Sequence, residues 1–305
     1  MAEPDLRTNP GALPDPEPPR IGRYRVNGTR LYAEVRGSGP AVLLIHAGAE
    51  DAEGWRPIAE RLTGFTVVTY DRRGTLRSDR DDWPGGGSAQ HADDAAGLLE
   101  ALGLDDTLVL GYSSSGNIAL QVALRHAELV RRALVYEPGY LLLLPDPENT
   151  HRRLMEAASV HLVDKPYDWA GAYAAVTRAF VPESEMPADG AEQPTLTSWY
   201  DQRERGNAEA LLRDDIPILT AEVVDPAELA STPADIRFSF GMETRPIFRD
   251  IAEHLAALRN TVPDVLNGVG HFLYYHAEMV AAYVRAQSGR RPPPSAPPTS
   301  VTGGE

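Results

Sequence analysis

The residues that could do chemistry begin with Gly111-Tyr112-Ser113-Ser114-Ser115-Gly116, which joins the apolar run Thr107-Leu108-Val109-Leu110 to the helix-like run Asn117–Leu124. A strand that turns sharply into a helix, with small residues two before and two after a serine, presents that hydroxyl as a nucleophile. The flanks must be small because strand and helix nearly touch at such a turn and its central residue is held in strained geometry. Ser113 meets the condition, with Gly111 before it and Ser115 after it. Ser114 would put Tyr112 in a small-residue slot, and Ser115 would put Asn117 there. A serine-rich turn that only caps a helix is the plainer alternative. A serine nucleophile also needs a base, an orienting acid and an oxyanion site. Asp264-Val265-Leu266 reads as a short strand, followed by Asn267-Gly268-Val269-Gly270-His271-Phe272. A histidine on a glycine-rich loop just after a strand can reach the sheet edge where the serine turn sits, so His271 is the expected base. His91, His126, His151, His161, His254 and His276 fit solvated or hydrogen-bonded roles.

The elements that must position these residues alternate between strand-like and helix-like from about Val42 to Leu143, which predicts an α/β domain with a mainly parallel sheet. Gly22 to Val35 reads as a hairpin turned at Asn27-Gly28, Ala41–Ile45 as a buried strand, and Trp55–Leu62 as an amphipathic helix. Phe65–Tyr70 is the next strand, with Asp71-Arg72-Arg73-Gly74 as its exit loop. Asp93–Leu102 is a helix, and Arg132–Tyr136 is a strand ending at Glu137-Pro138-Gly139. From 140 to 230 the pattern is helical without a convincing strand, as expected of an insertion at the carboxyl edge of the sheet. Strand character resumes at Ile236–Phe240, followed by a helix over Pro246–Leu258, a strand over Thr261–Leu266 and a helix over Met279–Gln287. The expected organisation is a proline-rich disordered tail (1–20), a core in two parts (21–139 and 231–288) around the insertion, and a second disordered tail (289–305).

Composition narrows the function. A chain of 305 residues with 42% hydrophobic residues can bury a full core. The formal charge of −15 disfavours nucleic acid and anionic membranes as partners, which basic patches attract. Zero cysteines exclude disulfides, thiolate nucleophiles and cysteine-bound metals. No long apolar stretch or secretory signal is visible, so a cytoplasmic protein is expected. The acidic residues and histidines lack metal-ligand spacing and the glycines form no dinucleotide fingerprint, so neither a metal nor an organic cofactor is expected.

His46-Ala47-Gly48-Ala49 after a strand, Tyr70-Asp71-Arg72-Arg73-Gly74 after the next, the serine turn and Gly268-Val269-Gly270-His271-Phe272 together resemble the α/β-hydrolase fold family over roughly Tyr24 to Gln287. The resemblance implies a central, mainly parallel sheet with flanking helices and a helical cap, and an oxyanion hole made by the amides of Gly48 and Ser114. It also implies a structural rather than catalytic His46. Many members carry an aspartate after the penultimate strand, where this chain has Gly241-Met242-Glu243-Thr244-Arg245. Others place a glutamate after the strand that follows the serine helix, where Glu137 stands. Either carboxylate could reach the histidine, because geometry and not chain order defines a triad; Glu137 is preferred to Glu243. The Glu137 placement, the Ser113-Ser114 pair and the segment from Gly241 to Ile251 look most like the zearalenone-type lactonases. That resemblance implies a serine hydrolase acting on an ester or macrocyclic lactone.

Trp199, Tyr200, Tyr140 and Phe272, with the run Leu141 to Leu144, are the candidate apolar walls for a small hydrophobic substrate. For the leucines, packing of the insertion onto the core is the better alternative. The same residues also suit a general carboxylesterase or a carbon–carbon bond hydrolase. A binding protein that retains the fold without the chemistry is the remaining alternative.

Overall fold

The computed structural model describes residues 18–180 and 206–289. The expected pocket residues Trp199 and Tyr200, and nearly all of the two expected tails, lie outside the described residues. Arg20, assigned above to the first tail, already belongs to a strand.

Among the described residues, eight strands form one sheet in the order β1-β2-β4-β3-β5-β6-β7-β8. β1 (Arg20–Val26) and β2 (Thr29–Arg36) make the expected hairpin, and β2 pairs antiparallel with β4 (Thr66–Tyr70). All later neighbours are parallel: β3 (Ala41–Ile45), β5 (Thr107–Tyr112), β6 (Val130–Tyr136), β7 (Ile236–Gly241) and β8 (Asp264–Leu266). Side chains alternate across a strand, so Val42 and Leu44 point into one apolar layer while Leu43 and Ile45 point into the other. Being covered on both faces is why the central strands read as unbroken apolar runs.

The first layer packs against α1 (Arg56–Ala59) and α9 (Ala277–Gln287), through Ile58, Val280 and Val284. The second packs against α2 (Gly87–Leu102), α3 (Ser114–Arg125) and α8 (Pro246–Leu258), through Leu98, Ile118 and Leu255. Between β6 and β7 the described residues hold α4 (Pro147–Asp164), α5 (Trp169–Phe180), a π-turn (Leu211–Asp215), α6 (Ile216–Leu219) and α7 (Pro226–Ser231), with no strand among them. No helix among the described residues is long and apolar enough to cross a membrane.

Two helices differ from expectation. The helix expected over Trp55–Leu62 is a 3-10 turn (Ala52–Trp55) followed by the single turn of α1. Pro57 suits only a first helical turn, and Gly64 swings the chain into β4 soon after. α2 begins at Gly87 rather than Asp93, because the added turn buries Ser88, His91 and Ala92 without any apolar periodicity that a sequence reading could detect.

Candidate active site

The carboxyl ends of β3, β5, β6 and β8 bring four loops to one edge of the sheet. The serine turn between β5 and α3 is the tightest of them. Ser113 has φ 53° and ψ −131°, a region that costs a non-glycine residue on the order of 1–3 kcal/mol. Its surroundings hold it there: the Ser113 N–H donates to the Tyr136 carbonyl (3.1 Å), and its own carbonyl accepts from Gly116 (2.9 Å) and Gly139 (3.2 Å). Ser115 Oγ accepts the Tyr112 N–H at 2.9 Å and lies 2.8 Å from the carbonyl oxygens of both Ile45 and Tyr112. A Cβ at Gly111 would stand 2.1 Å from the Ser115 carbonyl oxygen, so the small residue before the serine is a steric requirement. Ser114 opens α3, where the first N–H groups have no intrahelical partner and the helix dipole is positive.

Glu137 follows β6 at φ 42°, with its N–H tied to the Ser239 carbonyl at 2.9 Å. Its carboxylate is fully buried and divided between two partners: Oε1 accepts the Gly241 N–H at 2.9 Å, and Oε2 lies 2.5 Å from His271 Nδ1. Glu243 sits on an exposed turn after β7. His271 is held from three further sides. Phe248 stacks on its ring at 4.2 Å, Tyr112 meets it edge-on at 6.0 Å, and the Tyr136 hydroxyl donates to the adjoining Gly270 carbonyl at 2.8 Å. The loop is further fixed by His276, whose Nε2 accepts the Gly270 N–H at 3.1 Å.

The loop after β3 is immobilised by buried polar groups. His46 is fully buried, with Nδ1 2.8 Å from the Ala47 carbonyl and Nε2 accepting the Arg72 N–H at 3.0 Å. That pattern specifies the neutral Nδ1–H tautomer, and burial followed by the adjacent Arg72 charge pushes the His46 pKa well below its ordinary value. Glu50 accepts the Ala47 N–H at 3.2 Å through Oε2 and the Tyr112 hydroxyl proton through Oε1. From the insertion, the Asn207 amide donates to the Glu50 carbonyl at 3.1 Å. Between these anchors stands Gly48.

Ser113, Ser114, Gly48 and His271 border one cavity of about 110 Å³. Its remaining wall is mostly apolar, with Phe272 and Phe248 from the core side and Leu141, Val176, Leu211 and Ile216 from the insertion. Ser114 Oγ is buried without a hydrogen-bond partner among the described residues. Of the expected apolar walls, Phe272 and Leu141 border the cavity. Tyr140 does not. The chain turns inward after Gly139 and buries Tyr140 completely in the core beside α3, its hydroxyl 3.4 Å from the Asn117 carbonyl. Of the leucines after it, Leu142 is exposed and Leu144 packs in the core.

Phe248 and Glu50 border the cavity and were not singled out by the motif reading. Phe248 lies in the first turn of α8 with nothing local to mark it. The acidic pair Glu50-Asp51 at a strand exit is the only sequence signal for Glu50.

Residues 40–176 match the family model described as "alpha/beta hydrolase fold". The uncharacterized hydrolase YraK of Bacillus subtilis (strain 168) is 40% identical over 125 residues, 40% of this chain and 46% of that protein. The chain thus spans about half the length of the curated relatives it matches. Among solved structures, the carboxylesterase CesB from Bacillus subtilis superposes with a TM-score of 0.65 at 18% identity, covering 89% of this chain and 92% of that one. The enol-lactonase from Burkholderia xenovorans LB400 gives 0.62 at 18% identity, covering 87% and 98%. At such identities the likeness establishes the fold alone.

Proposed function

From the α/β-hydrolase fold of this chain, we propose a serine hydrolase that cleaves a carboxylic ester or lactone of a hydrophobic substrate through an acyl-enzyme. One observation carries the reading: His271, held from behind by the buried Glu137 with 2.5 Å between Oε2 and Nδ1, borders the same apolar-walled cavity as the strained Ser113. His271 Nε2 removes the Ser113 proton as Oγ attacks the carbonyl carbon. The amides of Gly48 and Ser114 receive the oxyanion, at a typical worth of roughly 3–4 kcal/mol for one donor. As the tetrahedral centre collapses, the carbon–oxygen bond to the leaving alkoxide breaks and His271 returns the proton to it. Water then attacks the acyl-enzyme with the same base. Throughout, Glu137 fixes the imidazole tautomer and stabilises the imidazolium.

The apolar wall and the placement of Glu137 between Ser113 and His271 in the chain support a bulky acyl or ring-containing substrate, and a macrocyclic, zearalenone-like lactone is the finer proposal. Each buried methylene is worth about 0.8 kcal/mol, so preference should rise gradually with apolar size. The test is labelling with a fluorophosphonate and location of the adduct by mass spectrometry, followed by a panel of acetyl, long-acyl and macrocyclic esters. The expected adduct is on Ser113, with Ser113→Ala both unlabelled and inactive. Labelling elsewhere, or an active Ser113→Ala, would remove the assignment. A preference for acetyl esters would remove the macrolactone and leave a general carboxylesterase.

A further inference from the structure

Gly48 can act as an oxyanion donor only if its N–H faces the cavity, and a peptide flanked by a residue as small as glycine turns over easily. In a planar trans peptide the carbonyl and the N–H point in opposite directions. Whatever holds the Ala47 carbonyl therefore aims the Gly48 N–H. Two groups hold it: His46 Nδ1 at 2.8 Å and Arg72 Nη2 at 3.2 Å. The same Arg72 nitrogen is bound by Asp215 Oδ2 at 2.5 Å, in an ion pair with the arginine side chain fully buried and the aspartate 6% exposed.

Asp215 is not part of the core. It ends the π-turn Leu211–Asp215 of the insertion, 143 residues along the chain from Arg72. The other end of that turn touches the same peptide. A Cβ at Gly48 would stand 2.2 Å from Leu211 Cδ1, so Leu211 packs directly over the glycine. One turn of the insertion thus contacts the Gly48 peptide on one side and, through Arg72, fixes its carbonyl on the other.

We propose that Asp215 and Arg72 are positioning residues that hold the Ala47–Gly48 peptide with its N–H turned into the cavity. The insertion then contributes to the reaction as well as to the pocket wall: it sets the geometry of the oxyanion site from outside the proposed triad. The inference rests on the serine-hydrolase reading. A guanidinium suits the task because its planar fork satisfies a carbonyl and a carboxylate together, which a lysine ammonium does less rigidly.

The effect belongs to the transition state, and that separates it from a packing role. Asp215→Asn should lower kcat by about 10- to 100-fold, short of the 100- to 1000-fold typical of deleting a donor outright, with KM within about threefold of wild type. A trifluoromethyl ketone with a matched acyl chain, which forms a hemiketal oxyanion with Ser113, should lose affinity by the same factor as kcat. Because Asp215→Asn leaves a buried cation without its counter-charge and can fail to fold, the double variant Arg72→Met/Asp215→Leu removes both charges together. It should retain the kcat and inhibitor deficits. Rates are to be normalised to serine titrated with a fluorophosphonate at long reaction time. Wild-type kcat and inhibitor affinity in the double variant, or a loss confined to KM, would overturn the positioning role while leaving the hydrolase reading intact. A wild-type protein that neither hydrolyses esters nor reacts at Ser113 would overturn both.

Discussion

Glu137 and Glu243 are the same residue type at the ends of adjacent strands, and their surroundings separate them. Glu137 is buried, accepts a backbone N–H on one oxygen and meets His271 on the other, whereas Glu243 is exposed on a turn. Replacing Glu137 by glutamine keeps the shape but removes the charge and lets an amide face Nδ1, which disfavours the tautomer needed to accept the serine proton. Glu137→Gln should therefore lower kcat by about 10³- to 10⁴-fold, and Glu243→Gln should leave it within about twofold, measured as initial rates at saturating ester. The opposite ranking would move the acid to the penultimate strand. Phe248→Ala tests the other restraint on the imidazole. Losing a stacked ring at 4.2 Å removes an interaction worth about 0.5–1.5 kcal/mol for aromatic pairs, so a loss of about three- to tenfold in kcat is expected at most. That Ser113 and His271 meet at one cavity was legible because each is announced by its own small-residue neighbours. Phe248 was not, since its role exists only once α8 folds back against the histidine loop.

At the scale of elements, the serine turn depends on how closely β5 and α3 approach. Gly111→Ala would set a methyl 2.1 Å from a backbone oxygen, where no side chain can swing away. Overpacking costs typically 1–3 kcal/mol, and here relief requires the turn itself to open. The expected result is a lowered midpoint in urea together with loss of Ser113 labelling; labelling at the wild-type rate would mean that the turn tolerates the methyl. The parallel sheet was legible because buried strands show as apolar runs, and α8 because Pro246 marks its start. α2 was legible only in its second half, since Ser88 and His91 are buried polar residues that no periodicity reveals. The Arg72–Asp215 pair could not be read in advance: two common charged residues so far apart acquire meaning only when the insertion lies down on the core.

For the whole molecule, acid should act first on the region beneath the loop after β3. His46 and His91 are both fully buried beside Arg72, and burial followed by the arginine charge pushes both pKa values well below the ordinary value. Folded, they stay neutral as pH falls through about 6.5; unfolded, each takes up a proton there. The unfolded chain then holds more protons, so stability rises with pH in this window and is lost as pH falls below about 6.5, by up to about 1.4 kcal/mol per pH unit for each histidine. Other groups oppose this. Burial raises the pKa of Asp71, Asp94 and Glu222, so those carboxylates favour the folded state on acidification, and lowering a net charge of −15 relieves repulsion. The total slope is a difference of large parts, and a variant isolates the histidine share. His91 Nε2 lies 3.5 Å from Arg72 Nη1 and its ring rests on Trp83 at 4.3 Å; glutamine keeps an acceptor there without titrating. In urea unfolding between pH 7.5 and 5, His91→Gln should start less stable than wild type and lose that disadvantage by about 1.4 kcal/mol per pH unit below pH 6.5. Parallel pH curves for the two proteins would mean that His91 takes up its proton in the folded state, and that burial beside Arg72 does not keep it neutral.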